Sequence, residues 1–241
     1  MRLSYSDIEK YAIAIVNRFM FPAKSADGIS AIRIEDFATR NLGLSLEYMR
    51  LSDDGRILGI TTYIDTDVDL YRHCQKETIC VPGKTVLLDE CLMKPPNSRG
   101  PDAQRGRRQF TIAHECAHQV LYRMEPDEQK QKLNLRYSAR TMSLRDLKSL
   151  DDWREWQANA MAAGLLMPAK YIEMMLGSRK LTLYGERMNK PDWIQRENMC
   201  YKLGVSRAAL MIRLKSLGYV IIRPASEYCE PMDIGYDDGY E

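Results

Sequence analysis

His114-Glu115-Cys116-Ala117-His118 is the stretch on which the reading of this chain turns. Residues four apart share one face of a helix, so a helical H-E-x-x-H turns two imidazoles toward a single metal ion. Glu115, one step round, then lies beside the coordination position that remains open, where a water would sit and a general base is useful. The chain contains only 3 histidines, and two of them stand here. The competing reading is a pair of surface histidines flanking a glutamate.

A catalytic zinc takes three protein ligands and keeps one position open, so a third ligand must come from elsewhere. The best candidate is Glu155, in Glu155-Trp156-Gln157-Ala158-Asn159, 37 residues beyond His118. It falls on a second long helical pattern, which could cross the first and deliver a carboxylate to the same ion. Asn159, one turn further on, is placed to bond a ligating imidazole. Without H-E-x-x-H, Glu155 would read as a surface glutamate between tryptophans.

The 241 residues suffice for one large domain or a domain with a small appendage, and 45% hydrophobic with 28% charged residues is ordinary for a globular chain. The net charge of +2 is unevenly spread: residues 224–241 hold six acids and no Lys or Arg. The basic excess of the remainder falls short of a nucleic-acid signature. No segment has the length of a membrane span, and the apolar run Tyr11 to Val16 is too short and too closely flanked by charge for a signal peptide. The 6 cysteines show no C-x-x-C spacing, which favours free thiols in a reducing cytoplasm. Cys74 and Cys80 with His73 match no zinc spacing.

Along the chain, Ser6-x-x-Glu9 has the form of a capping box, and Ile8, Tyr11, Ala12, Ile15, Val16 and Phe19 form one helical face that Pro22 ends. A short helix is expected from Ile34 to Arg40. Strands are expected at Leu44 to Tyr48, Ile57 to Ile64, Val68 to Tyr71, Thr78 to Val81 and Thr85 to Leu88. Gly83-Lys84-Thr85 is no phosphate loop, because Thr78 stands where the first glycine should be and a strand follows. Residues 94–108 read as an arginine-bearing loop, with the motif helix from Gln109 to Arg123. Glu125 to Leu150 reads as a polar excursion, after which Asp151-Asp152 caps a helix running to Pro168. The last third reads as short helices, the final one capped by Ser206 and stopped at Gly218. The acidic tail is expected to be disordered.

Arg108 to His118 resembles the R-x-F-T-x-A-H-E-x-x-H signature of the ImmA/IrrE metallopeptidases. Glu155-Trp156-Gln157-Ala158-Asn159-Ala160-Met161-Ala162-Ala163-Gly164-Leu165-Leu166-Met167-Pro168 resembles their E-x-x-A-N-x-F-A-x-x-L-L-M-P signature, and Val205 to Leu214 is similar to a helical V-S-x-x-A-x-x-x-R-L segment. The likeness runs from about Ile32 to Ile222. Cys116-Ala117 replaces the common Leu-Gly, Met161 replaces an aromatic, and Tyr122 stands where relatives often carry histidine. The resemblance implies that Glu155 ligates the metal and that the core is thermolysin-like.

The expected fold is α+β. A small, mostly antiparallel sheet packs on the H-E-x-x-H helix and a second ligand-bearing helix in a zincin-like arrangement, with C-terminal helices. The expected units are residues 1–185 (metallopeptidase), 186–223 (a helix-turn-helix-like segment) and 224–241 (the tail). One Zn2+ held by His114, His118 and Glu155, with Glu115 as general base, would hydrolyse a peptide bond. Tyr122, Tyr171 and His73 are candidates for stabilising the oxyanion. Thr85 to Leu88 is the candidate edge strand for pairing with an extended substrate. The resemblance points to a repressor-type transcription factor as the protein substrate, often encoded beside the peptidase on a mobile element. Two rivals stand beside this: a DNA-binding regulator using Arg207, Arg213 and Lys215, and a partner-binding scaffold without activity.

Overall fold

Helix α1 (Tyr5–Phe19) lays Ile8, Ala12 and Val16 into the core, the stripe its periodicity predicts. The cap is displaced from the expected one. Ser4 and Asp7 form the reciprocal box, with Asp7 N–H donating to Ser4 Oγ at 3.2 Å and Ser4 N–H to the Asp7 carboxylate at 3.2 Å. Glu9 is thereby released for a different partner. The computed structural model describes residues 2–19, 29–72, 75–93, 103–131 and 152–229. Pro22, Asp151, most of the polar excursion and the tail beyond Cys229 lie outside the described residues.

After α2 (Ile34–Asp36), which continues as one π-helical turn over Phe37–Asn41, come β1 (Ser45–Met49), β2 (Gly59–Thr61), β3 (Thr66–Arg72), β4 (Gln75–Val81) and β5 (Thr85–Asp89). The expectation of one mostly antiparallel sheet is corrected here. Strands β1, β5 and β2 form a three-stranded sheet in that order, with β1 parallel and β2 antiparallel to β5; β3 and β4 form a separate antiparallel hairpin. Strand β5 is therefore central, which corrects its reading as an edge. Burial on both faces explains its unbroken apolar run: Val86 and Leu88 enter the helical core, while Leu87 joins Ile60, Val68, Leu70 and Val81 under the hairpin.

The motif helix α3 spans Ala103–Met124, so Arg105, Arg107 and Arg108, expected in a loop, belong to its first two turns. Helices α4 (Asp152–Leu166) and α5 (Ala169–Leu176) follow. The last third holds α6 (Lys190–Leu203) and α7 (Arg207–Ser216), with Ser206 accepting from Ala209 N–H as the expected cap. It also holds an unexpected parallel pair, β6 (Leu181–Tyr184) with β7 (Val220–Arg223). Met199, Leu203, Leu210 and Leu214 bring α6 and α7 into the same core as α1, α3 and α4. No helix among the described residues is long and apolar enough to cross a membrane.

Candidate metal centre

Helices α3 and α4 meet through small side chains. Ala113, Cys116 and Ala117 on one and Ala158 and Ala162 on the other are fully buried, which lets the two backbones come close enough for short ligand side chains to converge. Burial pushes the Cys116 thiol far up, so it stays a neutral packing group. The bulky Met161 fills the core beside them.

On the faces turned toward each other, His114 Nε2 lies 3.2 Å from Glu155 Oε2, and His118 Nε2 lies 3.2 Å from Glu155 Oε1. The two Nε2 atoms are 3.1 Å apart, with the rings edge to face. All three ligand atoms fall within 4.8 Å of one another, and the group could hold a metal ion. His114 Nδ1 is 3.1 Å from Asn159 Oδ1. The amide oxygen fixes the proton on Nδ1 and leaves the Nε2 lone pair facing the cluster, as a metal-ligating imidazole requires. The donor set therefore fits a divalent cation on this structure's own geometry.

Burial alone would raise the Glu155 carboxyl, but hydrogen bonds from both imidazoles hold it well below the ordinary carboxylate range. Burial alone would lower His114, but Glu155, Glu115 and Asn159 together keep it above its usual value. Glu155 and His114 thus favour each other's charged forms.

Glu115 is buried at 5% exposure beneath β2. A Cβ on Gly59 would stand 2.7 Å from Glu115 Oε1 and 2.7 Å from Thr111 Cγ2, so the strand lies directly on the carboxylate because residue 59 has no side chain. Gln119, the residue after His118, secures that strand: its Nε2 donates to Thr61 Oγ1 at 2.7 Å and to the Thr62 carbonyl at 2.9 Å. A lone glycine inside a β-branched run was a legible hint of close approach at Gly59. Gln119 carried no such signal, since its role depends on what β2 brings to it.

The remaining candidates separate. Tyr122 stacks on Tyr63, with ring centroids 4.1 Å apart, and borders a small recess shared with His118 and Arg154. Tyr171 lies in the hydrophobic core on α5, away from that recess, and burial raises its hydroxyl. His73 lies outside the described residues. Of the cations considered for DNA, Arg213 is buried at 1% exposure and Arg207 pairs with Glu197 at 2.8 Å, while Lys215 is exposed. A scan against models of known protein families finds none that matches the chain, and a search of curated proteins finds no significant match.

Proposed function

We propose that the chain is a zinc-dependent endopeptidase that cuts a peptide bond in a regulatory protein, a repressor-type transcription factor being the substrate class that the sequence resemblance implies. The observation that carries this reading is the convergence of His114, His118 and Glu155 beside a buried Glu115. Two histidines and a carboxylate are also used by ferrous oxygenases, but those have no need of a general base next to the pair. The zincin-like arrangement is part of the same proposal. Free cysteines at 80, 91, 116, 200 and 229 suit action in a reducing cytoplasm.

His114, His118 and Glu155 would hold the zinc ion, which when bound would supply Lewis acidity to a water and to a carbonyl oxygen. Glu115 takes the proton as water attacks the scissile carbonyl and passes it to the leaving amine. Its burial against Gly59 keeps the carboxylate desolvated and aimed. Asn159 orients His114. The substrate backbone is aligned by β2, the free edge nearest the site among the described strands. Leu58 and Thr62 bond to β5, so by alternation Gly59 and Thr61 turn their main-chain groups outward, toward an incoming extended segment. Tyr122 is the oxyanion candidate that remains next to His118.

The test is to purify the protein, measure bound zinc and iron, and incubate wild type and Glu115→Gln with a repressor-like protein encoded nearby. Wild type should hold about one zinc per chain and cut, Glu115→Gln should hold zinc and not cut, and Glu155→Ala should lose zinc. Cutting by Glu115→Gln, or undiminished zinc in Glu155→Ala, rejects the assignment.

A further inference from the structure

Side chains tie α3 to α4 at successive heights, in an order that runs up one helix and down the other. His114 Nδ1 meets Asn159, and both His114 and His118 meet Glu155. Beyond His118, Arg154 Nη2 donates to Glu125 Oε1 at 3.3 Å. Glu155 therefore lies between two ties made by side chains outside the metal-binding group. Asn159 and His114 close one side of it. Glu125 and Arg154 close the other, and Arg154 is the residue immediately before the carboxylate that has to be held.

Both charges of this pair stand where their own helices disfavour them. Glu125 follows Met124, the last residue of α3, at the end where unpaired carbonyls carry partial negative charge. Arg154 is the third residue of α4, at the end that carries partial positive charge. Local preference would put a cation at 125 and an acid at 154. The Glu125 side chain is also nearly sealed, at 7% exposure, and a carboxylate so placed requires a partner. A contact across the two helices accounts for both positions at once. Glu125 lies two turns beyond His118 on the same face of α3, and the two line one small recess with Arg154.

We infer that Glu125 and Arg154 are positioning residues, which fix the height at which α4 crosses α3 and so hold Glu155 against His118 for the metal ion. The inference rests on the metal centre of the reading above. The Glu155 side chain is 38% exposed and sits in the first turn of its helix, so burial alone does not hold it. A tie at the preceding residue keeps the carboxylate from following a fraying helix end into solvent. Supports of this kind, one step removed from the ion, are worth about 10- to 100-fold in metal affinity.

The probe is zinc itself, with affinity read by competition against a chromophoric chelator. Cobalt absorption reports the coordination. Replacing both residues by Met removes the pair without leaving one charge buried alone, so the fold is kept. Glu125→Met with Arg154→Met should bind zinc about 10- to 100-fold more weakly than wild type, with a weaker and shifted visible cobalt band. The far-UV dichroism of the metal-free protein should not change. Arg154→Lys keeps the charge and one donor, which is all this contact uses, and should stay within about three-fold of wild type. Glu125→Asp decides the matter if the double variant does not fold. It keeps both charges, shortens the reach by one carbon, and should weaken zinc by about 10-fold.

Zinc affinity within about three-fold of wild type in the double variant, whatever its melting temperature, overturns the inference and makes the pair a stabiliser of the helix ends. An Arg154→Lys protein as weak as the double variant overturns it too, since the charge pair would then not be the tie. Unchanged zinc affinity with a raised KM for a cleaved peptide also overturns it, by moving Arg154 onto the substrate. A wild type that binds no zinc at micromolar concentrations removes the metal centre and the inference together. Zinc held equally by wild type and double variant removes the inference alone.

Discussion

At position 59 the absence of one carbon atom decides where a carboxylate points. In Gly59→Ala the new Cβ meets the flexible end of Glu115 and the methyl of Thr111. The carboxylate can swing aside more easily than the strand can lift, because Gln119 pins Thr61 and Thr62. The stability cost should accordingly be small, about 1 kcal/mol. On the proposed peptidase reading, displacing the base by about 1 Å is enough to cost on the order of 100-fold in kcat. Zinc content should stay at the wild-type level, because the ligands are untouched. A Gly59→Ala enzyme of normal kcat would show that the contact is incidental.

Among the elements, α7 is the one whose placement rests on a buried charge. Arg213 donates to Glu9 on α1 at 2.8 Å, to Tyr5 Oη at 2.6 Å and to the Met167 carbonyl at 3.0 Å, and its side chain is wholly inaccessible. Removing the cation alone leaves Glu9 without its partner, so Arg213→Ala should lose about 3–5 kcal/mol in denaturant unfolding. Replacing both Glu9 and Arg213 by Met should lose much less. A mild effect of the single change, below about 1 kcal/mol, would mean that the pair contributes little. From sequence, Arg213 is one of three basic residues that read as an ordinary solvated helix face, near DNA only in a rival reading. Only the packing of α1 across α4, where Gly164 leaves room for Ala12, reveals the acid that claims it. The same limit explains the strands. Their positions were legible from alternation and β-branching, yet β5 pairs in parallel with β1 across an intervening hairpin, and periodicity says nothing about which strand lies beside which. Strands β6 and β7 were hidden for a similar reason: each is only four residues long and pairs across two helices.

Taken whole, the molecule joins two core helices through one small constellation that could hold a metal ion, and its two histidines were legible because i, i+4 spacing on α3 is local geometry. Glu155 required a second helix to cross at the correct height, which spacing suggested and packing supplies. A cation there should stabilise the entire fold by mass action, by about 4 kcal/mol at a thousandfold excess over Kd, or about 8–16 °C in melting temperature for a chain of this size. The pH dependence follows from the two shifted groups. His114, raised above its ordinary 6.5, contributes stability that is complete below that value and fades as pH climbs through its folded pKa; Glu155, depressed below 4.5, contributes above that value and fades only as pH falls through its own. The metal-free protein therefore loses this contribution on the alkaline side. Zinc needs the imidazole neutral, so the zinc-induced gain in melting temperature should widen from about pH 5.5 to 8.5. A gain that is flat or narrows over that range, measured against a chelated control, argues against His114 as a ligand.

The clamp between Glu9 and Arg213 joins residues 204 apart, and Leu3 N–H reaches Gln157 across 154. During synthesis the ribosome delivers α1 well before its partners. The apolar stripe of Ile8, Ala12 and Val16 must wait for α4, and the Glu9 carboxylate waits longer, until α7 has emerged. At about 5–20 residues per second that interval is on the order of ten seconds or more. Until α4 arrives the first helix is a lone amphipathic segment, and the nascent chain depends on whatever shields that segment.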